Sequence, residues 1–174
     1  MSFPPQGFSS HAHGIRFITN ADYNYMKALQ GAGVQAFGTA GRVYLMPLDI
    51  PYDVTIDRLF YVVGNASNGN IRMGLYRKAA LDTVDAGVLV VQSASVAQAA
   101  INTQQLVTVV NTVLTPDQYF LAIQGDNVLG TLRRYNPVDD IAQRFDQVYG
   151  VFTDPCPATV AVDSFDFVSG VRVV

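Results

Sequence analysis

The chain has 174 residues, of which 49% are hydrophobic and 14% are charged, so it is long enough to enclose one hydrophobic core as a single domain. Its formal net charge of -3 argues against a nucleic-acid partner, because phosphate binding requires concentrated Lys and Arg, and the doublet Arg133-Arg134 is not such a patch. The single cysteine, Cys156, excludes an internal disulfide and has no partners for a zinc site.

Residues 1–14 are rich in Pro, Gly, Ser and His, which predicts an extended N-terminal arm. Phe3 and Phe8 are costly to leave in water, so they are candidate contacts with a neighbouring protein, unless the arm folds back on its own domain. His11 and His13 are too few ligands for a metal site, and we expect neither a metal nor a cofactor. Without a basic segment that leads into a long apolar run, neither a signal peptide nor a membrane span is expected.

Alternation of apolar and polar residues then predicts a series of strands. Residues 20–31, which lie between the predicted strands Ile15–Thr19 and Val34–Ala40, fit a brief helix or a strand equally well. The predicted strands outside the hairpin described next are Ile15–Thr19, Val34–Ala40, Arg42–Leu48, Val88–Gln92, Leu106–Val110, Tyr119–Ile123, Val128–Tyr135, Ser164–Val168 and Val171–Val174. The Tyr119–Ile123 strand is apolar on both faces, which indicates a central position in a sheet.

The stretch Pro51–Arg77 predicts a β-hairpin. A strand that ends in the apolar run Leu59–Val63 is followed by residues 64–70, which favour turns, and strand alternation then resumes at Ile71. Gly74 lies within the second strand, where the missing side chain allows another group to approach closely.

Residues 136–150 break the β pattern and predict a short helix. Asn136 can cap it, Pro137 suits its first turn and Gly150 can end it. Apolar residues at positions 138, 141, 142, 145 and 148 would share one helical face, which we expect to pack across an end or flank of the strands.

Short motifs along the chain follow a recurring order: Arg42–Pro47, Val54–Asp57, Arg72–Arg77, Leu114–Ala122, Tyr149-Gly150 and Pro155–Thr159. A strand with tyrosine then proline comes first, and a strand with the pattern proline-x-x-tyrosine-x-leucine-alanine comes later. Over Gly41–Val174 this order resembles a jelly-roll module of structural and tail-associated proteins of tailed bacteriophages.

The resemblance implies an all-β fold, a jelly-roll β-sandwich at residues 41–174, with the short helix near its C-terminal part. Residues 1–40 would form the N-terminal arm and a lead-in strand. It also implies a virion protein, made in the host cytoplasm, that binds other virion proteins as a homotrimer. Two roles follow from this family: an assembly or capsid decoration module, or a tail or fibre adhesin that binds a host surface glycan.

An enzyme is not expected, because both histidines lie in the arm and a catalytic triad would require that arm to fold into a cleft. Jelly rolls often bind sugars through loop aromatics. Tyr76, Tyr135 and Tyr149 lie near predicted loop ends and are candidate glycan contacts, although tyrosines at the edge of a core are the commoner arrangement.

Overall fold

The computed structural model describes residues 17–18, 33–78, 87–135, 142–157, 161–163 and 166–174. Every regular element within these ranges is a β-strand, which confirms the prediction of an all-β fold. In chain order they are β1 (Phe17–Ile18), β2 (Val34–Ala36), β3 (Arg42–Ile50), β4 (Val54–Val62), β5 (Asn70–Arg77), β6 (Val88–Gln92), β7 (Val96–Ala97), β8 (Gln104–Leu114), β9 (Asp117–Gly125), β10 (Thr131–Tyr135), β11 (Ala142–Asp146), β12 (Ala161–Asp163), β13 (Asp166–Phe167) and β14 (Ser169–Val173).

The strands form two large sheets and one small sheet. The four-stranded one of the two large sheets, which we call the small-face sheet, has the order β1-β14-β4-β8. The seven-stranded one, which we call the large-face sheet, has the order β12-β11-β3-β9-β5-β6, with β7 also paired to β5. A third sheet, β13-β10-β2, is joined to the end of β4 by a bridge between Val63 and Leu132. Among the described strands, β1 and β14 run parallel and the other pairs are antiparallel.

The small-face and large-face sheets share one hydrophobic cluster, which we call the central core. Alternate residues of each strand enter it, as period-2 patterning dictates. Members with at most 1% exposure include Tyr44, Met46, Ile56, Leu59, Tyr61, Met73, Leu75, Val107, Leu121, Ile123 and Val171. Two sheets around one core, antiparallel apart from the β1–β14 pair, form a β-sandwich-like fold, and the jelly-roll topology stays a prediction.

The opposite face of the large-face sheet is covered as well. Its buried residues are Val43, Leu45, Tyr76, Phe120, Ala122 and Phe145, and they pack with Phe152 and Cys156 from the segment that follows β11. We call this segment, residues 147–157, the strap. Strand β9, which lies between β3 and β5, is therefore buried on both faces, as its sequence predicts.

The predicted β-hairpin is wrong, although both of its strands exist. Strand β4 pairs with β8 and β14, whereas β5 pairs with β9, β6 and β7 in the other large sheet. Residues 64–69 therefore carry the chain from one sheet to the other. Turn-favouring residues specify a change of direction, but they do not specify which strand becomes the partner.

The predicted helix is also wrong for the residues that the structure describes there, and residues 136–141 lie outside them. Ala142–Asp146 is strand β11, which pairs with β3 on one side and β12 on the other. Phe145 is buried, but Val148 is 90% exposed, so the apolar positions do not share one buried face. The ladder offered by the edge of β3 outweighs the weak helical preference of this segment.

The strand predicted at Val171–Val174 is confirmed, since β14 covers all but its last residue. Strand β14 pairs with β4, and the Val174 amide donates to the Thr55 carbonyl at 2.9 Å. The strand predicted at Ile15–Thr19 is present as β1. The division into an arm of residues 1–40 and a domain of residues 41–174 stays a prediction.

Candidate interaction surface

A long part of the chain has no charge. Between Asp85 and Asp117 the sequence contains no Asp, Glu, Lys or Arg, and the structure describes residues 87–116 of this stretch, which we call the uncharged segment. It contains β6, β7 and β8 and the loop before β8. Its exposed large apolar residues are Val88, Ile101, Leu106, Val110 and Val113. Exposed apolar side chains and missing charge are typical of surfaces that other proteins cover.

Strand β8 is the longest strand described and lies at the edge of the small-face sheet. It pairs with β4 on one side, and no ladder along its other side is formed by the residues that the structure describes. Val107 and Val109 point into the central core, whereas Val110 and Val113 are 77% and 66% exposed. Natural edge strands are commonly protected by charges or prolines, and β8 has neither.

An irregularity in β8 changes which residues face the central core, since Val107 is buried before it and Leu114 is buried after it. Opposite β8, the register passes from Ile56 to Arg58, while on β8 it passes from Thr112 to Thr108. The three residues between form a bulge, and the Thr112 hydroxyl donates to the Val110 carbonyl at 2.7 Å. From Gln104 to Thr108 the pairing with β4 is regular, so this half of the edge is an ordinary strand.

The start of β8 is fixed by one glutamine. The Gln105 Oε1 atom accepts hydrogen bonds from the Tyr61 hydroxyl at 2.5 Å and from the Ala99 amide at 2.7 Å, and its Nε2 atom donates to the Ala97 carbonyl at 2.8 Å. Burial raises the pKa of Tyr61 well above its ordinary value, so the hydroxyl stays a donor. Strand β8 therefore cannot shift relative to the loop that precedes it without breaking these bonds.

Three loops meet at one end of the fold, and we call them the loop platform: residues 64–69, 98–103 and 126–130. The Asp126 carboxylate accepts from the backbone amide and the side chain of Asn70 at 2.9 and 2.6 Å. Asn127 donates to the Asn68 side chain at 3.1 Å, and the Asn68 amide donates to the Gln98 side chain at 2.8 Å. The loops therefore bond to one another, which makes the platform rigid.

Close backbone packing adds to this rigidity. Gly69 has φ +75°, and a Cβ there would lie 1.9 Å from the Asn127 side chain and 2.1 Å from that of Asp126, so only glycine fits. The tips of the platform expose Ile101, Val128 and Leu129. Rigid loops that hold apolar tips in water are suited to binding another protein, because little entropy is lost on contact.

The strap buries the side chain of Tyr76. The ring of Tyr76 is 0% exposed, lies against Phe152 with the ring centroids 6.2 Å apart, and its hydroxyl donates to the Thr153 carbonyl at 2.6 Å. Gly74 makes this possible, because a Cβ at that position would lie 2.7 Å from the Phe152 ring. The predicted close approach at Gly74 is confirmed. Tyr76 has no face available for a sugar, so its placement does not support the predicted glycan contact.

Gln124 holds the strap at its other end. It is 0% exposed, and its Nε2 atom donates to the Gly41 carbonyl at 2.7 Å and to the Val148 carbonyl at 3.4 Å. Its Oε1 atom accepts from the Gly150 amide at 3.2 Å. A buried amide with three backbone partners is stabilising only while all three remain, so Gln124 specifies this path of the strap.

Of the two predicted glycan contacts whose side chains the structure describes, Tyr149 is the one that stays partly open. It is half-buried, its hydroxyl lies 2.6 Å from that of Ser95, and Arg72 lies beside it. Burial raises the pKa of Tyr149, which keeps the hydroxyl neutral. The side chain of Tyr135, at the end of β10, lies outside the description, as do Phe3, Phe8, His11 and His13. The predicted site residues are therefore not brought together in what the structure describes.

The prediction missed the exposed residues of the uncharged segment. Leu106 was placed correctly in a strand, but a strand prediction does not distinguish an edge from an interior position. The signal that could have found this surface is the absence of charge between Asp85 and Asp117, since soluble edge strands usually carry Lys.

The described part of the chain contains no group of three or more His, Cys or Asp side chains placed to hold a metal ion. Among the same residues, no helix is long and apolar enough to cross a membrane. No family model, curated protein or solved structure matches the chain.

Proposed function

We propose that this protein is a non-enzymatic structural protein of a tailed-bacteriophage particle, a jelly-roll assembly or decoration module that binds neighbouring virion proteins. The observation that supports this role is the uncharged segment, which exposes five large apolar residues: three on the edge strand β8, one on a loop tip and one on β6. Assignment to a virion, and the homotrimer, rest on the resemblance of the motifs in residues 41–174.

The physical argument concerns what such a surface does in water. Exposed apolar area favours contact by about 25 cal/mol for each Å² that a partner covers. The central parts of protein interfaces are depleted of Asp, Glu and Lys, because burying an unpaired charge is costly. A segment that avoids charge on both its buried and its exposed positions fits this pattern.

The first test asks whether the chain is in the particle and whether the uncharged segment holds it there. Particles of the encoding phage are purified, and the protein is quantified by mass spectrometry. We expect Ile101→Lys to lower its copy number, whereas Val151→Lys, an exposed substitution on the strap, should leave it unchanged. Particles that lack the wild-type protein would show that the proposed function is wrong.

The arm is a second proposed contact. Phe3 and Phe8 would pack on a neighbouring virion protein, as the cost of leaving them in water suggests. Deletion of residues 1–14 should then lower the copy number in particles without changing the urea midpoint of the purified protein. Unchanged incorporation would exclude the arm as a contact.

The alternative is a tail or fibre adhesin that binds a host surface glycan, and the position of Tyr149 is the observation in its favour. A partly exposed ring beside Ser95 and Arg72 combines a stacking surface with hydrogen-bonding groups, as sugar sites do. A glycan array separates the two functions. Specific binding that is lost in Tyr149→Ala would favour the adhesin, and a blank array would favour the assembly module.

A further inference from the structure

We propose that β8 is the contact between two copies of this chain, with the two β8 edges paired antiparallel about a two-fold axis. This inference deepens the proposed function and rests on it, since it names a second copy of the chain as the partner of the uncharged segment. The juxtaposition that carries it is an open, uncharged edge strand with Leu106, Val110 and Val113 exposed along it.

The first step of the argument is the open hydrogen-bonding edge. Strand β8 has 11 residues and a ladder to β4 on one side only among the described strands. The strand at the opposite edge of the same sheet, β1, has two residues and is too short to offer a ladder of comparable length. The backbone groups on the outer side of β8 therefore favour the addition of one further strand at this edge.

The second step is charge, which favours a second copy over a charged partner strand as the occupant. In a two-fold antiparallel pair, each residue lies opposite a residue of the same strand, so a charged strand would place like charges near one another. Strand β8 has no charged residue, and none lies between Asp85 and Asp117, so this repulsion is absent. A charged partner strand would form no ion pair with β8, because β8 has no charged side chain.

The third step is side-chain packing across the junction. Leu106, Thr108 and Val110 project from the same exposed side of β8, and in the pair they would lie beside the same set of residues of the second copy. β-branched and apolar residues are the cross-strand neighbours that stabilise sheets most. The exposed Val110 lies within the bulge at residues 109–111, where it would cover the junction from one side.

The test measures how many chains associate. Light scattering after size exclusion gives the mass of the wild-type full chain, which we expect to be an even multiple of 18.9 kDa. The homotrimer implied by the resemblance would use other surfaces, so a dimer or a hexamer fits the proposal. A mass of one or of three chains overturns it.

The matched variants are Val110→Lys and Val148→Lys, which place the same charge at residues that are 77% and 90% exposed. Val110→Lys places an ammonium group in the β8 contact, where pairing would remove it from water, so we expect it to halve the mass and to raise the dissociation constant at least about tenfold. Val148 lies on the strap, and Val148→Lys should associate as the wild type does. Equal masses for Val110→Lys and the wild type overturn the proposal.

Hydrogen exchange provides a readout that does not depend on a variant. Amides of residues 104–114 should exchange more slowly as the concentration of wild-type protein rises, because the pair protects the outer edge of β8. Protection that appears elsewhere, with β8 unchanged, overturns the two-fold contact. A monomeric chain that is nevertheless present in purified particles overturns this inference alone, whereas an even-numbered oligomer that is absent from particles overturns the proposed function alone.

Discussion

The contact between Gly74 and Phe152 can be tested by a double-mutant cycle. Gly74 lies in β5, and the Phe152 ring of the strap lies directly over it. Gly74→Ala adds a methyl group that would lie 2.7 and 2.8 Å from the Cδ2 and Cε2 atoms of that ring. Phe152→Ala removes the ring, so the effect of the methyl group should depend on whether Phe152 is present.

The expected free energies follow from the packing. Carbon atoms attract best at about 3.5 to 4.0 Å, so the added methyl group overlaps the Phe152 ring by roughly 1 Å. We expect Gly74→Ala to lower the free energy of unfolding by about 2 kcal/mol, which is typical of overpacking. Phe152 is 3% exposed. Phe152→Ala should cost about 3 kcal/mol, near the lower limit for a buried Phe, because the strap lies at the surface and can relax.

In the Phe152→Ala background the methyl group of Gly74→Ala enters vacated space. The remaining near contact is the Val91 carbonyl at 3.3 Å, so the additional cost should fall to about 0.5 kcal/mol or less. The coupling free energy between the two substitutions is then about 1.5 to 2 kcal/mol, with the double variant more stable than the sum of the single variants predicts.

The assay is urea unfolding followed by circular dichroism and by tyrosine fluorescence, since the chain has nine Tyr and no Trp. Gly125→Ala is the control, because its Cβ would lie 2.7 Å from the ring of Phe37, away from the strap. It should be equally costly with and without Phe152. If Gly74→Ala costs the same in both backgrounds, the account of the strap is refuted.

Three further predictions concern single groups. Arg42 holds the pKa of Asp146 below its usual range, so the pair stabilises the fold above about pH 4 and loses this contribution as the pH falls. Asp146→Asn should therefore cost about 0.5 kcal/mol at neutral pH and nothing in strong acid, as urea unfolding at both pH values will show. Gln124→Leu should cost about 2 kcal/mol and speed amide exchange at Gly150, because it leaves backbone groups of the strap unpaired. Burial raises the pKa of Tyr61, so an absorbance titration should find its hydroxyl still protonated above pH ~10 in the folded protein. Because the same hydroxyl ionises at that pH in the unfolded chain, the free energy of unfolding should fall as the pH rises further.

The positions of strands could be predicted from the sequence more reliably than their partners. Strand β6 has the predicted bounds, Val88–Gln92, and β9 is buried on both faces as its composition indicates. The hairpin at Pro51–Arg77 was wrong because alternation reports which residues face a core, whereas pairing depends on contacts far along the chain. Gly74 shows how far local reasoning reaches: a close approach was predicted, but Phe152 as the approaching group was not.

The candidate site illustrates the same limit. Tyr76 and Tyr149 both lie near the ends of elements, and nothing local distinguishes them. The strap covers Tyr76 completely, whereas Tyr149 lies within the strap and is half-buried. The accessibility of Tyr76 therefore depends on a segment more than 70 positions away along the chain. The surface on β8 required no such information, since it is marked by the absence of charge on both sides of Val110.

The two large sheets differ in whether other residues of the chain cover their outward apolar side chains, and this difference favours a role in binding another protein. On the large-face sheet, the strap brings Phe152 and Cys156 over the apolar side chains and is held there by Gln124. On the small-face sheet, Val110 and Val113 remain 77% and 66% exposed. The chain thus covers the outward apolar residues of the large-face sheet with its own strap. The outward apolar residues of the small-face sheet, Val110 and Val113, stay exposed to solvent. A partner that covers β8 accounts for the exposure, and Val110→Lys is the substitution that tests it.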